Sequence, residues 1–106
     1  MPEGYEDVCA EQAVVEGGLL GVKVGGEPVV LSRVGGQIYA IGGICTHKPA
    51  SLEEGTIEGG SVRCPRHGGC FDIRTGEAVR PPATRAVPTY EVKVEGGRVL
   101  VGRRAG

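Results

Sequence analysis

The amino-acid sequence predicts an all-β fold, a small β-sandwich or a partly open barrel, formed by one domain of 106 residues. Short segments in which apolar and polar residues alternate are typical of strands with one buried face. Glycine pairs separate several of these segments, and such pairs supply the positive φ angles that tight hairpin turns require. The sequence shows no long amphipathic helical pattern, so we expect strands throughout.

The N-terminal half predicts a meander of strands. These are Tyr5–Ala10 with Val8 facing inward, an alternating segment at Leu20, Val22 and Val24, the apolar run Pro28–Val34, and Gln37–Ile41. Glycine pairs at 25–26 and 35–36 predict hairpin turns between the last three. Cys9, in the first strand, is interpreted as a small, half-buried thiol.

The C-terminal half predicts shorter strands and two loops. We expect an exposed connection over Ser51–Gly60, strands at Phe71–Ile73 and Glu77–Val79, an extended proline loop at 81–83, and a strand with Tyr90, Val92 and Val94 facing inward. The glycine pair 96–97 turns this last strand into Arg98–Val101. Arg103 and Arg104 are expected in a frayed tail.

Two short runs between these strands carry metal-binding residue types: Cys45-Thr46-His47, and Cys64-Pro65-Arg66-His67 followed by two glycines. Two thiolates and two imidazoles suit zinc or iron–sulfur chemistry rather than magnesium or calcium. One intervening residue in an extended segment places Cys45 and His47 on the same side, where two neighbouring metal atoms can take one ligand each. A structural Cys₂His₂ zinc site uses the same atoms, although zinc motifs usually separate paired ligands by two or more residues.

The two runs resemble the ligand motif of Rieske proteins, which bind a [2Fe–2S] cluster. The resemblance implies that Cys45 and Cys64 hold one iron and that His47 and His67 hold the other. It also implies a base domain of strands carrying an inserted cluster-binding subdomain, here roughly residues 43–72. With neutral imidazoles the oxidised cluster has no net charge, and every ligand position is filled, so the implied chemistry is transfer of one electron and not transformation of a substrate.

Within that family the chain is similar to the soluble ferredoxins of bacterial aromatic-ring dioxygenase systems. The resemblance implies an electron carrier between a flavin-dependent reductase and a terminal oxygenase. The net charge of −1 gives no reason to expect nucleic acid, and no apolar run suggests a membrane segment, so we expect a cytoplasmic monomer. The alternatives are a small subunit of a nitrite reductase or another redox complex, a zinc-stabilised interaction module, and a thiol-redox protein using Cys9 and Cys70.

The resemblance also places further residues around the cluster. His47 and His67 are expected at an exposed tip, with Lys48 and Arg66 adding positive charge beside them. Pro81 and Pro82 correspond to a proline loop that shields the cluster, and Cys70 is expected to be a neutral thiol packed nearby. The high-potential branch of the family has a Ser and a Tyr at the positions of Gly69 and Phe71, where their hydroxyls stabilise the reduced cluster. Their absence predicts a low reduction potential for a Rieske centre.

Overall fold

The computed structural model describes residues 4–44, 51–66, 68–81 and 85–104. Within these residues the regular structure is β-strand, apart from two single-turn 3₁₀ helices at Glu11–Ala13 and Leu52–Glu54. The strands are β1 Glu6–Ala10, β2 Leu20–Val24, β3 Glu27–Val34, β4 Gln37–Gly42, β5 Thr56–Glu58, β6 Ser61–Arg63, β7 Cys70–Asp72, β8 Ala78–Arg80, β9 Thr89–Glu95 and β10 Arg98–Arg104. No helix among the described residues is long and apolar enough to span a membrane.

The larger sheet has six antiparallel strands in the order β1-β10-β9-β4-β3-β2. Its two edge strands lie close to each other. The N–H of Gly25, directly after β2, donates a hydrogen bond to Glu6 Oε1 of β1 at 2.8 Å. The sheet therefore curls into a nearly closed barrel. This architecture confirms the predicted all-β fold with a partly open barrel as its base.

The predicted glycine hairpins have the expected backbone geometry. Gly25 and Gly26 join β2 to β3 with φ angles of +58° and +83°, and Gly35 and Gly36 join β3 to β4 with +62° and +83°. Two consecutive residues with positive φ define the type I′ turn, whose twist matches that of the paired strands. The turns thus explain why the register from β2 through β4 is regular.

The smaller sheet has four antiparallel strands in the order β5-β6-β7-β8 and spans Thr56–Arg80. It packs against the outer face of β3 and β4. Val29 and Leu31 point into the barrel, whereas Val30 and Ile41 belong to a second core between the two sheets. That second core, which we call the intersheet core, contains Val30, Ile41, Leu52, Val62, Cys64, Phe71, Ile73 and Val87. Burial on both faces explains why the consecutive residues Val29–Leu31 of β3 are all apolar.

Three details differ from the sequence-based predictions. Leu52, in the connection predicted to be exposed, has no exposed surface because it enters the intersheet core. The predicted frayed tail is wrong for the backbone of Arg104, which pairs with Tyr90 at the end of β10. Val94 shares the inner face of β9 with Val92 and pairs with the buried Val99, but it is itself 43% exposed. The subdomain boundary at roughly 43–72 stays a prediction, as does the single domain over 1–106.

Candidate metal centre

The structure describes one of the four predicted ligands. Cys64 lies immediately after β6, whereas Cys45, His47 and His67 lie outside the described residues. Among the described residues, no three His, Cys, Asp or Glu side chains lie close enough together to hold one metal ion. The assignment of the four ligands therefore stays a prediction, and the described residues show only how the two runs are anchored.

The second ligand run forms a closed turn at the end of the β6–β7 hairpin. The N–H of Cys64 donates to the carbonyl oxygen of Gly69 at 2.7 Å, and the N–H of Gly68 donates to the carbonyl oxygen of Cys64 at 3.2 Å. Gly68 has a φ of +76°, which glycine adopts without strain and which allows the chain to reverse here. The turn leaves Pro65 and Arg66 exposed at its tip.

The Cys64 thiol is free and has only 1% of its surface exposed. It belongs to the intersheet core, together with Val62 of the preceding strand. It also lines a cavity of about 420 Å³ between the second ligand run and the segment Glu54–Thr56. A buried, unpaired cysteine beside a cavity of this size fits a small metal–sulfide cluster, for which the soft thiolate is a preferred ligand.

The first ligand run is anchored at both of its ends. Ile44 forms an antiparallel bridge with Ser51, and the N–H of Leu52 donates to the carbonyl oxygen of Gly43 at 2.8 Å. The residues on either side of the first ligand run, Gly43–Ile44 and Ser51–Leu52, are therefore paired with each other. Because Leu52 and Cys64 share the intersheet core, the bases of both ligand runs rest on the same packed side chains.

Charged side chains surround the second ligand run. Arg63 pairs with Glu58 at 3.4 Å, with about half of each side chain exposed, and its guanidinium lies against Gly68. A pair this exposed contributes little to stability, because water and salt screen it. Arg66 is exposed at the tip, as predicted, whereas Lys48 lies outside the described residues. Pro81 is also exposed, and Pro82 lies outside them.

The remaining cysteines do not form a redox pair in the described structure. Cys9 packs against the barrel core, and burial raises the pKa of its thiol. Cys70 is 6% exposed in the smaller sheet, and its thiol donates a weak hydrogen bond to the carbonyl oxygen of Gly68, with 3.6 Å between sulfur and oxygen. Both are free thiols on different sheets. The burial of Cys70 agrees with a packed thiol, and the separation of the two cysteines gives no support to thiol-redox chemistry.

Two residues of this region were not recognised from the sequence. Leu52 anchors the first ligand run, and Gly55 makes a close backbone contact beside Cys64. Leu52 is the one apolar residue between Ser51 and two glutamates, which is a weak signal of burial. Gly55 follows the two glutamates as an isolated glycine, which in a sequence marks either a turn or a close approach of two backbones.

Comparison with known proteins places this chain in a family. The family described as "Rieske [2Fe-2S] domain" matches residues 4–91. The ferredoxin component of a naphthalene 1,2-dioxygenase system from Pseudomonas aeruginosa is 43% identical over 101 residues, covering 95% of this chain and 97% of that protein. Ferredoxin CarAc from Metapseudomonas resinovorans is 42% identical over 95 residues, covering 89% of each.

Solved structures agree with these relatives. The ferredoxin of carbazole 1,9a-dioxygenase from Nocardioides aromaticivorans IC177 superposes with a TM-score of 0.90 and 31% identity, covering 94% of this chain and 98% of that one. The relatives are named as ferredoxins, which are electron-transfer components and not enzymes that transform a substrate. The family match and the identity to these ferredoxins show that this chain belongs to the Rieske [2Fe–2S] family, which implies one [2Fe–2S] cluster and electron transfer as its chemistry.

Proposed function

We propose that this protein is the ferredoxin component of an aromatic-ring dioxygenase system, which accepts single electrons from a flavin-dependent reductase and delivers them to a terminal oxygenase. The observation that carries the proposal is the 43% identity to a naphthalene 1,2-dioxygenase ferredoxin component over nearly the full length of both chains. A solved chain from a complex of reduced oxygenase and oxidized ferredoxin in carbazole 1,9a-dioxygenase, 39% identical with a TM-score of 0.87, supports the oxygenase as acceptor.

Four residues hold the cluster in this proposal: Cys45 and Cys64 bind one iron, and His47 and His67 bind the other. When bound, the cluster supplies a one-electron redox couple. The protein's contribution is to bury the Cys64 thiol in the intersheet core, away from water, and to hold its backbone through the hydrogen bond to Gly69. A rigid surround at Cys64 limits the change in ligand geometry between the two oxidation states, and this favours rapid electron transfer.

The exposed tip of the second ligand run supplies the docking face. Pro65 and Arg66 protrude there from the closed turn. With Lys48 of the first run, Arg66 attracts an acidic surface on the partner and speeds encounter more than it strengthens the final complex. The protein acts as a monomer in the cytoplasm. In that reducing compartment the free thiols of the described cysteines stay reduced.

A nitrite reductase small subunit is the second candidate for the same chemistry. Such a protein from Mycobacterium tuberculosis, described as putative, shares the fold with a TM-score of 0.82 but only 26% identity. The dioxygenase ferredoxins are more similar in sequence, so we prefer them. The family match likewise favours an iron–sulfur centre over a structural zinc site.

The cluster assignment is tested by metal and sulfide analysis of protein expressed with ample iron and purified without oxygen. We expect two irons and two acid-labile sulfides per chain and visible absorbance. Replacing any of the four ligands, as in Cys64→Ser, should abolish or strongly perturb this absorbance. Cys70→Ser is the matched control, because it changes another buried cysteine in the same hairpin and should leave the iron content intact. A colourless protein with one zinc per chain would contradict the assignment.

The partner assignment needs a separate assay. The oxygenase and reductase components of a naphthalene 1,2-dioxygenase system are suitable probes, because their own ferredoxin is similar to this chain. We expect this protein to sustain product formation by the oxygenase when it replaces that ferredoxin. A loaded protein that is reduced by the reductase but never reoxidised by the oxygenase would contradict delivery to oxygenases of this kind.

A further inference from the structure

We propose that Gly55 is a positioning residue for the metal centre, because its lack of a side chain lets the segment that follows the first ligand run pack directly against the backbone that carries Cys64. The inference rests on the ligand role proposed for Cys64. Gly55 follows the 3₁₀ turn at Leu52–Glu54, downstream of the first run, and it lines the cavity beside Cys64. Gly55 therefore lies where the segment that follows the first run passes Cys64 of the second run.

The contact at Gly55 is between backbones. A Cβ atom added to Gly55 would lie far inside van der Waals contact with the carbonyl oxygen of Arg63, 3.1 Å from the carbonyl carbon of Arg63 and 3.3 Å from the carbonyl oxygen of Leu52. Backbone atoms cannot rotate away as the end of a flexible side chain can. A side chain at this position must therefore displace the main chain of Arg63 or of Gly55 itself.

A displacement of Arg63 would be transmitted to Cys64. The carbonyl group of Arg63 belongs to the peptide bond whose nitrogen is that of Cys64, and this nitrogen donates the 2.7 Å hydrogen bond to Gly69 that closes the second run. On the other side, the N–H of Gly55 donates to Leu52 at 3.0 Å, and the N–H of Leu52 donates to Gly43 at 2.8 Å. A continuous path of backbone contacts thus joins the base of the first run to Cys64.

The backbone conformation does not itself require glycine here. Gly55 has a φ of −86° and a ψ of −156°, in the extended region that other residues adopt. Gly59, in the turn between β5 and β6, is the opposite case: its φ is +56°, and a Cβ there meets no atom within 4 Å. Alanine at Gly59 therefore introduces backbone strain without crowding, whereas alanine at Gly55 introduces crowding without that strain.

These two glycines give a matched pair of variants in the cluster-loaded protein. For Gly55→Ala we expect the visible absorbance to bleach at least about tenfold faster with excess iron chelator. We also expect altered EPR g values and a shifted reduction potential in the fraction that keeps its cluster. For Gly59→Ala we expect bleaching within about twofold of the native rate, native g values and a native potential, even though its thermal stability falls.

The EPR signal and the potential separate positioning from simple destabilisation, because loss of fold stability alone leaves the loaded cluster native. Native g values and potential in Gly55→Ala would overturn the proposal, whatever its thermal stability. If Gly55→Ala does not fold, it is refolded in the cold with an osmolyte and reconstituted with iron and sulfide. A chain that stays unfolded there would also overturn the proposal, because Gly55 would then be required by the whole fold. A native protein without a cluster would instead refute the proposed function.

Discussion

Replacing Leu52 by alanine should destabilise the protein strongly, although this residue lies between a serine and two glutamates in the sequence. Leu52 has no exposed surface and contributes to the intersheet core together with Cys64 and Phe71. Leu→Ala changes at buried sites cost about 2–5 kcal/mol, from lost apolar burial and the remaining cavity. The Leu52 backbone is tied by hydrogen bonds to Gly43 and Gly55, so it cannot move to close the cavity. We therefore expect at least about 3 kcal/mol.

At about 4–8 °C per kcal/mol for a domain near this size, that cost lowers the Tm by at least about 12 °C. The assay is thermal unfolding of the loaded protein by circular dichroism at one fixed scan rate, with bleaching of the visible absorbance followed in parallel. Both signals should shift together, because Leu52 supports the bases of both ligand runs. Val79→Ala is the control, since Val79 is 52% exposed and should change stability by no more than about 0.5 kcal/mol. A cost below about 1 kcal/mol for Leu52→Ala would refute its role in the intersheet core.

Three further predictions concern potential, docking and thiol reactivity. The native reduction potential should lie near the bottom of the Rieske range of about −150 to +300 mV. The variants Gly69→Ser and Phe71→Tyr are expected to raise it. A native value above roughly +100 mV, measured by voltammetry near neutral pH, would contradict this account of its tuning. Changing Lys48 and Arg66 together to Glu should slow reduction of the oxygenase at low salt with little change in absorbance, and equal stopped-flow rates would place the docking face elsewhere. Burial raises the pKa of the Cys9 thiol. Its neutral form is therefore favoured in the folded state, and the stabilisation that this gives is lost as pH rises through the folded pKa. Alkylation of Cys9 at pH 8 should be slower in the folded than in the urea-unfolded chain, and peptide mapping that finds equal rates would rule out this burial.

The barrel strands could be predicted because their sequence signals are local. Alternation in β2 and the glycine pairs beside β3 specify strands and turns without any knowledge of the rest of the chain. The burial of Leu52 could not be predicted in the same way, since a single apolar residue among polar ones forms no periodic pattern. The β6 strand was missed for a related reason: its three residues, Ser61–Arg63, are too few to show a pattern. Alternation identified the face on which Val94 lies, but not how much of its side chain the neighbouring residues cover.

In the candidate centre, too, the local features could be predicted and the tertiary contacts could not. The residue types and spacing of the ligand runs were visible in the sequence, and they led to the family that the comparisons show. The close approach of Gly55 to Arg63 was not visible in the sequence, because the two segments that carry these residues meet only when the smaller sheet forms. Short motifs therefore identified the family, whereas the backbone contact between Gly55 and Arg63 is a tertiary contact that no local pattern indicates.

The most direct test of a mixed Cys and His cluster is pulsed EPR of the reduced protein. Only a cluster bound by imidazole places strongly coupled nitrogen nuclei next to iron. We expect two histidine nitrogen couplings that change when the protein is labelled with ¹⁵N-histidine, because His47 and His67 are its only histidines. A reduced cluster without imidazole couplings, or a protein with no EPR signal after full reduction, would contradict the Rieske ligation on which the whole account rests.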